Sequence, residues 1–128
     1  MVWCLGFTPL YKCAQRGISE ELGIHGPLDF SVPDIQLLSF SVDTHYALYG
    51  LRGMVKVKKS SEEILRNWHA GVKDKMENQK LFAVPFTPQG VCSFVFSHEP
   101  WAGGLVGLYH ALAHEFGREQ VNSVISSY

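Results

Sequence analysis

The sequence predicts an α+β fold in which a small mixed or antiparallel sheet is packed with helices. Residues 35–42 and 46–57 are rich in aliphatic and aromatic side chains, which is typical of β-strands. The polar residues 43–45 between them fit the turn of a hairpin. Residues 102–116 carry apolar side chains at helical spacing and give the strongest helix pattern in the chain. With 128 residues, 46% of them hydrophobic, we expect a single domain over residues 1–128.

The first helix is predicted to begin at Pro9, because Thr8 is a good N-cap and proline is favoured in a first turn. The apolar residues 1–7 before it predict a short strand or a packed arm. Gly23 suits the left-handed residue that ends a helix. Apolar residues spaced by four form the predicted buried stripe of this helix: Leu10, Ala14, Ile18 and Leu22.

Two further helix starts are predicted downstream. Ser60 and Glu63 have the spacing of a capping box, in which each side chain caps the backbone of the other residue. The pair Thr87–Pro88 repeats the pattern that begins the first helix. The residues that follow have helical spacing, although 92–96 could equally form a strand, and both alternatives stay open.

Two features of the predicted strands are irregular. Gly50 and Gly53 interrupt the second strand of the hairpin and suggest a bulge or a close approach of another backbone. Residues 81–86 predict a short additional strand, which Pro85 closes.

The composition excludes several classes of protein. A net charge of -1 gives no electrostatic reason to expect binding to nucleic acid or to a membrane surface. No stretch reaches the length of a membrane span. The three cysteines, Cys4, Cys13 and Cys92, are scattered, so we interpret them as reduced core thiols of a cytoplasmic protein.

An arginine and two adjacent carboxylates lie close together on the predicted first helix. Arg16 and Glu20 are four residues apart and are therefore neighbours on the helix surface. Glu21 stands four residues after Gly17, so the same helix edge has a gap where a further side chain could stand. The result is one acidic helix edge that stops at Gly23.

This segment resembles the second half of the Nudix box, the signature of Nudix hydrolases, which reads R-E-U-x-E-E-x-G-U with U aliphatic. Gly17 stands at the position of a metal-binding glutamate, and Thr8 and Val2 replace the glutamate and the glycine of the first half. The downstream order of strands and helices is similar in outline to a Nudix domain. Six positions match the half-box: Arg16, Ile18, Glu20, Glu21, Gly23 and Ile24.

The resemblance implies a Nudix-like fold and a site that acts on nucleoside diphosphate derivatives with Mg²⁺. In that reading Glu20 and Glu21 are metal ligands, Arg16 orients them, and the three are the candidate catalytic residues. Mg²⁺ is a hard cation that binds carboxylates and bridges phosphate oxygens. Since Gly17 supplies no carboxylate, another residue would have to complete the metal site, and the candidates are Glu77, Asp74 and Glu62.

Candidate ligand-binding residues lie outside the half-box. Lys73 and Lys75 could bind phosphate from a loop of mixed charge, and Trp68 could stack on a base. The alternatives are a solvated loop and a core tryptophan. His110 and His114 are one helical turn apart, but they fit a structural pair better than a zinc site.

Three functions are compatible with these residues. The first is a degenerate Nudix-fold module that binds a nucleotide or a related phosphorylated ligand with little or no turnover, as a sensor or regulatory dimer. The second is a Mg²⁺-dependent pyrophosphohydrolase, and the third is a structural interaction domain without a ligand. A usual Nudix domain has more of its sheet before the box, whereas only about nine residues precede the predicted first helix here. Either the sheet is smaller than the family's or a second copy of the chain completes an edge, and we expect a homodimer.

Overall fold

The computed structural model describes residues 2–71, 80–100 and 102–128, with side chains described for this part of the chain except 2–8 and 102. The predicted α+β class is confirmed, since these residues form helices and a two-stranded antiparallel sheet. None of the helices in the described ranges has the length and apolar character needed to cross a membrane. The elements are α1 Val2–Leu22, β1 Ile35–Asp43, β2 Leu48–Val55, α2 Ser61–Gly71, α3 Pro88–His98, α4 Ala102–Phe116 and α5 Arg118–Ser126, with a 3-10 turn at Val32–Asp34.

The chain divides into two compact units. Unit 1 comprises Met1–Ile35 and Val55–Ala83, and unit 2 comprises Gln36–Met54 and Val84–Tyr128. Each unit has a hydrophobic core of its own. The expected single domain over 1–128 stays a prediction, because compactness by itself does not show that a unit folds alone.

The core of unit 1 forms where α1 ends. Gly23 has a φ of 65°, and its N–H donates to the carbonyl oxygen of Ser19 at 3.0 Å, which is the left-handed helix end predicted for it. The following residue, Ile24, is only 2% exposed and forms a cluster with Phe30 and Ile35. The predicted stripe on α1 is confirmed at Ala14, Ile18 and Leu22, which pack on this cluster. It is wrong at Leu10, which is 39% exposed, and Tyr11 packs on the cluster.

The predicted start of α1 is wrong. The helix begins at Val2, and Pro9 lies inside it. An apolar run as short as residues 2–7 fits a strand and a helix equally well. The proline lacks an amide hydrogen for the helix bond to residue 5, so it costs the helix locally without ending it.

A capping box begins α2, as the sequence predicts. The backbone N–H of Ser60 donates to Glu63 Oε2 at 2.8 Å, and the N–H of Glu63 donates to Ser60 Oγ at 3.3 Å. Gly71, with a φ of 120°, is its last residue. The strand expected at residues 81–86 is wrong, because this segment is irregular up to Pro85. A strand needs a neighbouring strand for its backbone, which composition does not reveal.

The hairpin of unit 2 is confirmed. Asp43 Oδ1 accepts the backbone N–H groups of His45 and Tyr46, at 2.9 and 3.1 Å, and so fixes the turn. The expected close backbone approach occurs at Gly53, where a Cβ atom would lie 2.7 Å from the carbonyl oxygen of Gln36.

Helices α3, α4 and α5 form the core of unit 2. Val91, Leu112 and Val121, one from each helix, are at most 5% exposed and pack together. Thr87 caps α3 by accepting the N–H of Gly90 at 3.0 Å, so the helix predicted there is confirmed and the strand alternative for 92–96 is wrong.

Two cysteine side chains are described, and both are free thiols. Cys92 is 5% exposed, as predicted for a core residue. The prediction is wrong for Cys13, which is exposed on α1. The reason is its place beside the buried stripe, since Ala14 occupies the position that faces the core.

Substitutions at two glycines of α1 should have opposite effects on stability. We expect Gly23→Ala to destabilise the protein by about 1–2 kcal/mol, since a Cβ is disfavoured in the left-handed region. Gly17→Ala, in the helix interior, should stabilise it by about 0.5–1 kcal/mol. Urea unfolding followed by circular dichroism measures both, and equal effects of the two substitutions would contradict the role given to Gly23.

Candidate functional site

The acidic edge of the half-box lies near the end of α1 in unit 1. Arg16 is exposed, and Glu20 and Glu21 are partly exposed one turn further along the helix. A Cβ atom at Gly17 would have only Glu21 Oε1 nearby, at 3.9 Å. The helix therefore presents two adjacent carboxylates and room for a third, as the spacing predicts.

A serine and a histidine next to this edge form a hydrogen bond that sequence reasoning missed. Ser19 Oγ and His25 Nδ1 are 2.8 Å apart, across the left-handed turn at Gly23. The hydrogen bond joins the last turn of α1 to the residue that follows the buried Ile24. The sequence signal is weak, because six residues separate them and the turn between them brings them together.

Asp29 organises the loop that follows α1. Its carboxylate accepts the backbone N–H of His25 at 2.8 Å and the ammonium group of Lys59 at 2.9 Å. Its carbonyl oxygen accepts the N–H of Lys58, also at 2.8 Å. The hydrogen bond from His25 lowers the pKa of Asp29 most, Lys59 lowers it further, and burial opposes both. This residue, 8% exposed, thus ties the loop to the segment before α2 as an anion.

The described residues contain no group of three histidine, cysteine, aspartate or glutamate side chains arranged to hold a metal ion. Glu20 and Glu21 could contribute two carboxylates. Of the residues proposed to complete the site, Glu62 lies at the start of α2, where the N–H of its own backbone lowers its pKa most. Glu77 and Asp74, and the predicted phosphate-binding residues Lys73 and Lys75, lie outside the described residues.

Trp68, the predicted stacking residue, lies on α2 and is 5% exposed. Its ring meets the ring of His69 edge-on, with 5.3 Å between centroids. Stacking on a base stays a prediction, and it requires a ligand that reaches a ring now packed inside unit 1.

Two cavities lie in unit 2, and their lining residues include none of those proposed from the half-box. One, of about 280 Å³, is apolar and lies among α3, α4 and α5. The other, of about 350 Å³, lies between the hairpin and α4 and is lined in part by Arg52. Sequence reasoning did not single out Arg52.

Comparison with known proteins gives no match to a family model, no similar curated protein and no similar solved structure. The likeness to the Nudix family therefore rests on the residue pattern at 16–24 and stays a prediction.

The anionic Asp29 should make unfolding sensitive to acid. Because its pKa in the folded protein lies below the ordinary value of 3.8, its stabilising effect is complete above that pH. The effect is then lost as the pH falls through the lowered pKa. We expect the urea midpoint to fall less steeply between about pH 6 and pH 2 in Asp29→Asn than in the unsubstituted protein.

Lys59→Met is the matched variant for this measurement. It should retain part of the acid sensitivity, because the N–H of His25, the larger cause of the lowered pKa, stays in place. An identical pH profile for Asp29→Asn and the unsubstituted protein would contradict the role of this carboxylate.

Proposed function

We propose that this chain is a degenerate Nudix-fold module that binds a nucleotide or a related phosphorylated ligand with little or no turnover. The observation that carries the proposal is the geometry at the end of α1. Gly23 takes the left-handed conformation that ends the helix, and Ile24 after it is buried. These are the positions at which the motif has a glycine and an aliphatic residue. Glu20 and Glu21 both lie in the last turn of the helix and are partly exposed.

The absence of a third carboxylate on the helix argues for binding over catalysis. A Mg²⁺ ion bound through two carboxylates would be held mainly by water and by the phosphate oxygens of the ligand. Hydrolysis also requires a group that activates and positions the attacking water. With Gly17 at the position of the missing glutamate, the helix supplies weak metal binding, which a phosphorylated ligand would strengthen.

The test is thermal unfolding with ADP, UDP and ADP-ribose, each with and without Mg²⁺. A ligand that binds only the folded state at ten times its Kd adds about 1.4 kcal/mol and raises Tm. We expect a Mg²⁺-dependent rise that is lost in Glu20→Gln and Glu21→Gln, with no release of phosphate or nucleoside monophosphate. Efficient hydrolysis that depends on both glutamates would favour the pyrophosphohydrolase instead. No shift and no hydrolysis would leave an interaction domain.

Restoring the missing carboxylate gives a sharper version of the same test. Gly17→Glu would place a carboxylate beside Glu20 and Glu21, where the structure leaves room. Its matched control, Gly17→Gln, has the same shape and a similar helix preference without the charge. Mg²⁺ alone should raise Tm more in Gly17→Glu than in Gly17→Gln, and equal responses would argue against the half-box alignment.

We also propose that the module works as a homodimer assembled through the hairpin. The sheet has two strands in the described part of the chain, and a hairpin of two strands is marginally stable by itself. The rings of Phe40 and Tyr49 stack on one of its faces, with centroids 6.1 Å apart. Val42 and Leu51 alternate onto that face, and the four side chains are 46–75% exposed. A second copy of the chain would bury this face and cover the strand edges.

Light scattering after size-exclusion chromatography measures the mass directly. We expect a dimer mass for the unsubstituted chain and a monomer mass for the double variant Phe40→Lys, Tyr49→Lys. Leu28→Lys is the matched control, since Leu28 is 80% exposed in unit 1 and lies outside the hairpin. A monomer mass for the unsubstituted chain would overturn the dimer.

A further inference from the structure

The cavity between the hairpin and α4 in unit 2 has the size of a small-molecule site. Its volume of about 350 Å³ lies at the lower end of the range for ligand pockets. The cavity has apolar walls at Leu48 and Val106 and polar groups at Ser41, Asp43 and Arg52.

Arg52 is held in place beside this cavity by backbone groups. Its Nε donates a hydrogen bond of 2.8 Å to the carbonyl oxygen of Gly103, in the first turn of α4. That contact fixes the plane of the guanidinium group. A planar group that is already oriented loses little side-chain entropy when it binds an anion.

Two glycines make room for this arginine. A Cβ atom at Gly50 would overlap the guanidinium group, and one at Gly107 would lie 3.3 Å from Arg52 Cδ. Gly107 lies in the interior of α4, where a glycine costs the helix about 1 kcal/mol relative to alanine. The helix is therefore less stable at the point where the side chain of Arg52 passes it.

The other charged residue of the cavity is committed to the turn. Asp43 Oδ1 accepts the backbone N–H groups of His45 and Tyr46. Its negative charge disfavours an anion at its end of the cavity, whereas the positive charge of Arg52 attracts an anion to the other end. The polar groups thus define an orientation for a ligand with one charged end.

We propose that this cavity binds a small molecule made of a carboxylate or phosphate group and a short apolar body. The guanidinium group of Arg52 binds the anionic group, because its fork of N–H donors matches two oxygens of a carboxylate or phosphate. Leu48 and Val106 contact the apolar body. The site is distinct from the half-box in unit 1 and needs neither Mg²⁺ nor a nucleotide base.

The test uses the full chain with benzoate, phenyl phosphate and benzyl alcohol as probes, followed by backbone amide NMR. We expect at least one of the two anions to bind and to shift the amides of Gly103 and Val106, with the neutral benzyl alcohol at least about tenfold weaker. The anion that binds better identifies the carboxylate or phosphate class. No binding of either anion, or equal binding of benzyl alcohol, overturns the proposal.

Variants assign the binding to this cavity. Arg52→Gln should weaken binding of the anion at least about tenfold, as expected for the loss of a charge-assisted hydrogen bond. Arg118→Gln, at the start of α5, is the matched control and should bind as the unsubstituted chain does. If Arg52→Gln fails to fold, Val106→Trp fills the cavity with the arginine in place and should abolish binding. Unchanged binding in a folded Arg52→Gln or Val106→Trp overturns the proposal.

Discussion

The left-handed backbone at Gly23 is the constraint on which unit 1 depends. It ends α1, accommodates a hydrogen bond to Ser19, and turns Ile24 into the cluster with Phe30. The same turn sets the two glutamates in the last turn of the helix. A side chain at position 23 would cost about 1–2 kcal/mol, so one backbone angle links the core of this unit to its acidic edge. The core of unit 1 and its candidate site therefore both depend on the backbone conformation of Gly23.

Unit 2 uses glycine differently. There Gly50 and Gly107 matter because they lack a side chain. The space this leaves lets the side chain of Arg52 pass between β2 and α4. A charged group becomes fixed at a cavity that the hairpin and α4 form together. The two units thus hold their charged groups by separate means, a backbone turn in one and an absence of side-chain volume in the other.

The features that the sequence predicted are those set by residues close together in the chain. The capping box at Ser60, the N-cap at Thr87 and the helix end at Gly23 each join residues at most four positions apart. The contacts that escaped prediction join distant positions. Arg52 and Gly103 are 51 residues apart, and Asp29 and Lys59 are 30 apart. Spacing rules for helices and turns carry no information on such pairs.

The pair of Asp29 and Lys59 has a consequence for how this protein can diverge. Their side chains are only 11% and 26% exposed, so either charge left alone would be poorly solvated. Replacing Lys59 alone leaves the carboxylate of Asp29 without its counter-charge. Replacing Asp29 alone leaves the ammonium group of Lys59 beside the loop without its counter-charge. We therefore expect positions 29 and 59 to change together in evolution, to a neutral pair of similar volume that leaves the backbone of the loop unchanged.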